Sequence, residues 1–468
     1  MARTTVADVL ADGLARAGAG RVFAVPGADT SLTAAAARHG LDVVLVPDAL
    51  AAAVLAAVTG EVGDGPGAVV AGLDDPRTLV RGLAHAHRDR APLIVVTGAG
   101  ADAGLLGPVV KGTVAVEAGS AGHWIAHAAQ LAMADPRGPA HLVLPAGVAE
   151  EPALPVAAAA RPAPLPPPET ANLEALAAAL AGANRPLLVA GLECGHDDAR
   201  WIRAFAETLP APVLATVKGH GALADPHPLA LGALAAGHPV LARADLVVLL
   251  GVDAGELPPG LLPGDARVAR IGRAPWPHGG FVADARGDLA LVVEELAPTV
   301  RGRPAADWDV AELDRIKRAV TRPASPAARL VALAREATPA GTLATGDVSA
   351  LAAWQAVGPR ETLVPLGQAP PGYAVLAAVA AQLVHPDCRV VAFTSPAGLG
   401  DDALRLATAR GLPLVVVVLG ELAAETVARL DAVGVVVLAG RGERDFARDF
   451  SRAFLAARPA VIVASPEA

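Results

Sequence analysis

The chain has 468 residues, of which 53% are hydrophobic and 18% charged, so a large core is available and disorder is excluded. Its formal net charge is −9 and its Lys and Arg residues are scattered, which argues against nucleic acid and anionic membranes as partners. Cys194 and Cys388 form neither a disulfide framework nor a metal-binding pattern. Asp8 and Asp12 interrupt the apolar run that a signal peptide needs, and no uncharged apolar segment reaches the roughly 18 residues of a spanning helix. We therefore expect a cytoplasmic protein of about three domains, at roughly 150 residues each.

Residues 1–150 alternate predicted helices with predicted strands. Such alternation indicates a doubly wound parallel sheet with helices on both faces. Helices are predicted at 5–17, 32–38, 49–58, 79–87 and 125–132, and strands at 21–25, 43–46, 68–71, 92–97 and 140–145.

A linker rich in proline and alanine, 151–169, separates this unit from a second α/β unit at 170–300. A second linker, 301–326, carries a predicted helix at 310–320 and leads to a third unit at 327–468. In the second unit helices are predicted at 173–181 and 199–209, with strands at 186–190, 213–216, 246–250 and 266–271. In the third unit helices are predicted at 373–383 and 403–410, with strands at 342–345, 390–393, 414–419 and 460–464.

The stretch 388–421 reads as strand, loop, helix and strand, which is a βαβ unit with a parallel strand pair. Ligands of such sheets bind outside the carboxyl ends of the strands. The loops 394–400 and 420–424 are therefore the candidate site.

Segments with a distinctive sequence occur in all three units: ADVLADGLARAGAGRVFAVPG in the first, NRPLLVAGLECGHDDARWIRAF and ADLVVLLG in the second, and GQAPPGYAVLAAVAAQLVHPDCRVVAF in the third. They resemble the thiamine diphosphate-dependent enzymes of the acetolactate synthase and benzoylformate decarboxylase family. The resemblance implies three consecutive doubly wound parallel-sheet domains: pyrimidine-binding-like, central and diphosphate-binding-like. It covers nearly the whole chain.

The motifs that would carry the cofactor chemistry depart from the family. There a divalent metal that holds the diphosphate is bound by an Asp in Gly-Asp-Gly and by an Asn in Asn-Asn. The matching positions here are Ser395-Pro396-Ala397 and Gly420-Glu421, and Pro396 offers neither a ligand atom nor an amide hydrogen. Glu421 together with Asp401 or Asp402 is an alternative cation site. This alternative is weaker, because two acids at the start of a helix are also explained by their favourable interaction with the helix dipole.

The family's cofactor-activating Glu falls within Val46 to Ala53 of this chain. If the alanines are aligned, Ala49 replaces that Glu. A shift of one residue would place Asp48 there, as the one acid that could survive in the role. A purely surface Asp48 would contribute about 0.5 kcal/mol or less to stability.

Two further departures concern neighbours of the cofactor. The family's glycine-rich loop is matched by Gly72 to Thr78, where Asp74 and Asp75 would place negative charge near a diphosphate. The apolar residue that supports the bent cofactor is matched by Pro371, and little chain follows Leu419 to form a substrate lid.

Other candidate motifs have ordinary explanations. His85 and His87 lie two apart on a predicted helix and do not face each other, and His123 and His220 stand alone. The stretch 218–221 matches a structural turn of the family's middle domain, and 251–255 is a weak dinucleotide fingerprint because it lacks the third glycine.

The sequence therefore predicts a relative of thiamine diphosphate-dependent 2-oxo acid decarboxylases and carboligases that has lost metal-diphosphate binding and thiamine catalysis. It would act by assembly, by binding, or through a repurposed cleft that takes an unknown small molecule, with no cofactor and no metal site. The alternative is an active acetolactate synthase-like enzyme with an atypical thiamine diphosphate and Mg²⁺ site.

The resemblance also implies self-association, since the family's cofactor lies between the first unit of one chain and the third unit of its partner. We expect a homodimer or a tetramer, because the apolar helices 49–58 and 373–383 would otherwise face water. A mixed dimer with an active paralogue is a further possibility, in which this chain would inhibit its partner.

Overall fold

The structure is a computed structural model that describes residues 4–72, 76–100, 103–155, 159–302 and 306–465. It contains three six-stranded sheets, and all strand pairs within them are parallel. Helices alternate with the strands, so the predicted α/β fold is confirmed.

The first sheet has the strand order β2-β1-β3-β4-β6-β5. Its first helix shows how local sequence sets an element: Thr5 and Asp8 form a reciprocal capping box, and Gly18 ends the helix at φ 95°. The elements are α1 (Val6–Ala17), β1 (Arg21–Ala24), α2 (Thr30–Arg38), β2 (Asp42–Leu45), α3 (Ala49–Val62), β3 (Gly67–Ala71), α4 (Pro76–Arg88), β4 (Leu93–Gly98), α5 (Ala103–Leu106), β5 (Thr113–Ala115), α6 (Ala121–Met133) and β6 (Pro139–Leu144).

The second sheet has the order β9-β8-β7-β10-β11-β12, in which the first and fourth strands of the unit are neighbours. This is the arrangement of dinucleotide-binding folds, and the place where the order reverses is a preferred ligand position. The elements are α7 (Thr170–Ala181), β7 (Pro186–Ala190), α8 (His196–Thr208), β8 (Val213–Ala215), β9 (Ala230–Ala233), β10 (Leu246–Leu250), β11 (Val268–Gly272), β12 (Ala283–Arg286) and α9 (Leu289–Arg301), followed by α10 (Val310–Val320).

The third sheet, β14-β13-β15-β16-β18-β17, repeats the strand order of the first. Its central strands β15 and β16 form the predicted βαβ unit with α13 between them. The elements are α11 (Pro326–Glu336), β13 (Leu343–Gly346), β14 (Thr362–Leu363), α12 (Tyr373–Val384), β15 (Val390–Thr394), α13 (Asp401–Ala409), β16 (Val415–Leu419), α14 (Ala424–Ala432), β17 (Val436–Arg441), α15 (Gly442–Leu455) and β18 (Ala460–Ser465).

The first and third sheets share one hydrophobic core through α3 and α12. Residues 51–60 of α3 and 373–382 of α12 are all buried within the single chain. Polar contacts support the same junction, because Arg410 binds Asp42 and Arg21 donates to the Leu383 carbonyl. The reason given for dimerisation is therefore wrong, since these helices cover each other without a second chain.

Among the residues that the structure describes, no helix combines the length and apolarity needed to cross a bilayer.

Candidate functional site

The carboxyl ends of β13, β15 and β16 lie side by side, and two of the predicted loops meet there. Residues 396–398 form one short helical turn after β15. Gly420 follows β16 with φ 141°, and a Cβ on it would lie 3.0 Å from Cγ of Pro396. The structure thus brings Ser395, Pro396 and Ala397 next to Gly420, whereas the Glu421 side chain is exposed to solvent.

The turn before α12 reaches the same edge of the sheet. Pro371 is exposed, and Gly372 takes a left-handed conformation with φ 72° at the start of the helix. A Cβ on Gly400 would lie 3.5 Å from Cα of Gly372, so this turn touches the loop that precedes α13. Three loops therefore lie together at one edge of the sheet.

Sequence analysis missed a carboxylate at this edge. Asp347 follows β13, and its Oδ2 accepts a hydrogen bond of 3.0 Å from the Thr394 hydroxyl. Its Oδ1 is buried and has no hydrogen-bond partner in the described part of the chain. Burial raises the pKa of Asp347, although the Thr394 hydrogen bond opposes this effect. An Asp directly after a strand that neighbours β15 is the signal that could have identified it.

Gly398 is required by this pair. A Cβ at Gly398 would lie 2.3 Å from Oγ1 of Thr394 and 2.4 Å from Oδ2 of Asp347. A side chain at this position would displace the hydrogen-bonded Thr394 and Asp347. Glycine therefore lets the loop backbone approach the Asp347 carboxylate this closely.

The first helix turn of α3 contains both candidates for the family's activating acid. Asp48 is the exposed N-cap residue of α3, and its Oδ1 accepts a 2.8 Å hydrogen bond from the Ala51 amide. Ala49 follows as the first helical residue and packs against the shared core. The Asp48 carboxylate therefore has a local structural role that the sequence did not reveal.

Replacement of Asp48 by Ala is expected to lower the free energy of unfolding by about 1 kcal/mol, since an amide of the first helical turn loses its acceptor. The earlier figure of about 0.5 kcal/mol or less assumed a surface position without a cap. Asp48→Asn is the matched control and should stay near wild type, because Asn caps helices equally well. Urea unfolding of the three proteins tests this, and equal stability of the Ala and Asn variants would show that the cap contributes nothing.

The matched positions do not fit a metal-bound diphosphate. Pro396 and Gly420 carry no side-chain oxygen, and within the described ranges no group of three or more His, Cys, Asp or Glu residues is placed to hold a metal. Asp401 is paired with Arg429 at 2.9 Å, and Asp402 lies 3.9 Å from Arg405, so neither is arranged with Glu421 around a cation. Asp74 and Asp75, the acids of the altered glycine-rich loop, lie outside the described residues.

The histidines are less isolated than the sequence suggested. His220 bridges Asp225 at 2.8 Å and Thr362 at 3.0 Å, and the ring of His123 stacks on that of His127. Burial lowers the pKa of His85, and Asp89, whose carboxylate lies 3.6 Å away, opposes that shift. None of these contacts brings a histidine to the edge formed by β13, β15 and β16.

Lys218, which the sequence assigned to a structural turn, is the centre of a buried ion cluster. Its ammonium nitrogen lies 2.8 Å from Oε1 of Glu61 and 2.6 Å from Oδ2 of Asp89. Burial alone would lower the pKa of Lys218, but the two carboxylates outweigh burial and raise it. The lysine follows β8 of the second sheet and both acids belong to the first unit, so the cluster joins the two units.

Comparison with known proteins identifies two parts of the chain. Residues 4–111 match the N-terminal TPP binding domain of the thiamine pyrophosphate enzymes, and residues 173–296 match their central domain. The chain is 28% identical over 258 residues to the acetolactate synthase isozyme 1 large subunit of Escherichia coli, covering 50% of this chain and 45% of that protein. It is 29% identical over 425 residues to the acetolactate synthase large subunit of Parasynechococcus marenigrum, covering 79% of this chain and 67% of that protein.

Two other comparisons extend this result. A Pseudomonas aeruginosa protein provisionally named 2-ketoarginine decarboxylase AruI is 31% identical over 51% of this chain and 45% of its own length. The chain thus spans less than half of the E. coli and P. aeruginosa relatives. A crystal structure of a protein from Mycobacterium smegmatis, provisionally described as a thiamin diphosphate-dependent enzyme, superposes with a TM-score of 0.79. That match covers 99% of this chain and 100% of the other at 19% identity, and it supports the fold alone.

These matches overturn one expectation. The sequence motifs led us to expect no cofactor, and this is wrong, because the matched domains and the named relatives point to thiamine diphosphate. The chain therefore contains the N-terminal TPP binding domain and the central domain of the thiamine pyrophosphate enzymes, it is similar to acetolactate synthases, and it shares the α/β fold of a solved structure.

Proposed function

We propose that this protein binds thiamine diphosphate but has lost the chemistry by which its 2-oxo acid decarboxylase and carboligase relatives activate that cofactor. The observation that carries the proposal is the start of α3, where Asp48 caps the helix and Ala49 follows it. Within this described turn the one acid is Asp48, whose Oδ1 is used to cap the helix and whose side chain is one methylene shorter than that of the family's Glu. The protein would then act through binding or assembly.

The site at β15 and β16 supports the same proposal. Since Pro396 and Gly420 supply no ligand oxygen, cofactor binding has to rest on contacts other than a metal bridge at these positions. We therefore expect binding of thiamine diphosphate to be insensitive to the removal of Mg²⁺.

The test combines calorimetric titration with an assay for turnover. Thiamine diphosphate is titrated into the protein with Mg²⁺ and again with a chelator, and pyruvate and 2-oxobutyrate are then supplied to the loaded protein. We expect the same affinity in both titrations, and no release of CO₂ or formation of an acetohydroxy acid above the protein-free blank. Turnover of either acid by the wild-type chain would contradict the proposed loss of catalysis.

A second function, an active acetolactate synthase-like enzyme with an atypical site, is favoured by one observation. The partner-free Oδ1 of Asp347 is a carboxylate oxygen at the same edge of the sheet. If it served as a metal ligand, cofactor affinity would fall with the chelator, and Asp347→Asn would abolish this dependence. Asp402→Asn is the matched control, an exposed acid on α13 whose loss should change neither titration.

Self-association remains part of the proposal as a homodimer or tetramer, with a mixed dimer containing an active paralogue as the inhibitory variant. It no longer rests on α3 and α12. An exposed apolar side chain supports self-association instead: Leu45, at the end of β2 and three residues before Asp48, is 74% exposed. Light scattering coupled to size exclusion tests it, and a stable monomer at micromolar concentration would exclude both the homodimer and the tetramer.

We also propose a cytoplasmic location. Both cysteines are free thiols in the structure, Cys194 buried and Cys388 partly buried, which fits a reducing compartment.

A further inference from the structure

A cavity of about 40 Å³ lies where the three α/β units meet. Its walls include Leu192 and Glu193, which follow β7, and Asp253, which follows β10. β7 and β10 are neighbours in the second sheet, and the strand order reverses between them. The cavity therefore occupies the position at which open α/β sheets bind ligands.

Each unit contributes at least one guanidinium group to this cavity, and the first unit contributes two, those of Arg90 and Arg137. Arg137 comes from the segment between α6 and β6, Arg273 follows β11, and Arg360 precedes β14. Burial lowers the pKa of Arg360, Glu61 opposes the shift, and the charges of Arg137 and Arg273 lower it further. Three like charges from distant parts of the chain thus act on one another across a shared space.

The acids of the cavity wall do not neutralise all of these groups. Glu61 and Asp89 pair with Lys218, and Asp253 forms a bidentate pair with Arg90 at 2.9 and 3.2 Å. Glu193 accepts hydrogen bonds from the backbone amides of residues 273 and 274 at 2.6 and 3.1 Å. Four of the five wall acids are therefore occupied by partners other than the side chains of Arg137, Arg273 and Arg360, and the fifth, Asp135, lies near Arg137.

The guanidinium groups differ in how they are held. Arg273 is bound by Asp198 at 3.4 Å and by Asp288 at 3.2 Å. Among the described residues Arg137 pairs with Asp135 alone, at 3.7 Å. Arg360 donates one hydrogen bond of 2.5 Å to the Glu61 carbonyl, and within the described ranges it forms no ion pair with a carboxylate. Arg137 and Arg360 consequently keep donors that can serve a ligand.

The backbone at Arg360 supports a ligand-binding role. Its φ is 61°, in the left-handed region that is strained for a non-glycine residue. Residues held in such conformations are concentrated at binding sites. Here the strained turn places the guanidinium in the cavity wall.

We propose that this cavity binds a small oxyanion, a phosphate or a carboxylate group, held by Arg137 and Arg360 with Arg273 as the third wall. A volume of about 40 Å³ has room for a small polar group such as one oxyanion. An anion there relieves the repulsion among the three arginines and fastens the three units together. The proposal is independent of whether thiamine catalysis survives.

The experiment measures thermal unfolding and calorimetric binding of the full chain with inorganic phosphate, with pyruvate and with KCl, all at the same ionic strength. At least one of the two oxyanions is expected to raise the unfolding midpoint above the value in KCl. Arg360→Met is expected to weaken that binding at least tenfold. The matched control is Arg203→Gln, an exposed arginine of α8 paired with Glu207, which should bind as wild type does.

The comparison of phosphate with pyruvate identifies which kind of oxyanion binds. Binding of phosphate alone, of pyruvate alone, or of both supports the proposal and names the ligand chemistry. An effect equal to that of KCl for both oxyanions, or unchanged binding by Arg360→Met, overturns it.

Arg137→Gln provides a second variant should Arg360→Met fail to fold by circular dichroism. In buffer without oxyanions it is expected to unfold at or above the wild-type midpoint, because one repelling charge is gone. With the anion present it should lose most of the midpoint shift. A lower midpoint in both buffers together with an undiminished shift would overturn the proposal.

Discussion

Replacement of Lys218 by Met is expected to lower the free energy of unfolding by about 3–5 kcal/mol, the usual loss when one partner of a buried ion pair is removed. Met preserves the length of the side chain but leaves the carboxylates of Glu61 and Asp89 buried without their cation. Both acids lie in the first unit, so the loss should appear as weaker docking of the second unit on the first. Urea unfolding of wild type and variant measures the difference.

The control removes all three charges at once. Glu61→Gln, Asp89→Asn and Lys218→Met together leave neutral groups of nearly the same shape, and the amide oxygen that Asp89→Asn introduces can still accept the hydrogen bond from the Leu366 amide. Buried ion clusters replaced as a whole often lose little stability. We therefore expect the triple variant to recover most of the loss, and a triple variant as unstable as Lys218→Met would show that the cost lies in packing.

The interior strands of each sheet and the edge strand β2 could be predicted from the sequence, whereas the other edge strands could not. Five strands escaped the sequence analysis: β5, β9, β12, β14 and β17. Every one of them lies at the edge of its sheet. Four of the five, all but β14, include half-buried or exposed residues, so their apolar runs are weak, while strands such as β16 are apolar throughout because both faces are buried.

Hydropathy predicted that α3 and α12 are buried, and the family resemblance led us to expect that a second chain covers them. Both helices are apolar on all sides, which indicates burial without indicating what covers the helix. In the structure they pack on each other between the first and third sheets. A pattern confined to one segment cannot distinguish contact within a chain from contact between chains.

The candidate site divides in the same way. The loops at Pro396 and Gly420 were predicted to meet because parallel strands end at a common edge, and they do meet. Asp347 was missed because its relation to Thr394 depends on the neighbouring strand β13, some fifty positions earlier in the chain. The three cavity arginines lie still farther apart, and only the packing of the three units brings them together.

Stability is expected to fall by about 2 kcal/mol between pH 8 and pH 5 through a single residue, His141. This histidine lies on β6, fully buried, with Nε2 2.9 Å from the Thr97 hydroxyl and Nδ1 3.2 Å from that of Thr113. The ring thus connects β4, β6 and β5 across the first sheet. Burial lowers the pKa of His141 from 6.5 to about 4.

The sign follows from the protons that each state binds. The unfolded chain protonates His141 near pH 6.5, whereas the folded chain resists protonation until about pH 4. Between these values the unfolded state holds more protons, so acid favours unfolding.

His141→Gln removes this proton linkage while retaining a polar side chain between the two threonines. Urea unfolding at pH 8 and pH 5 should show a loss about 2 kcal/mol smaller in this variant than in wild type. His196→Gln, an exposed histidine at the start of α8, is the control and should keep the wild-type loss. If both variants lose as much stability as wild type, His141 does not carry the acid sensitivity of the first sheet.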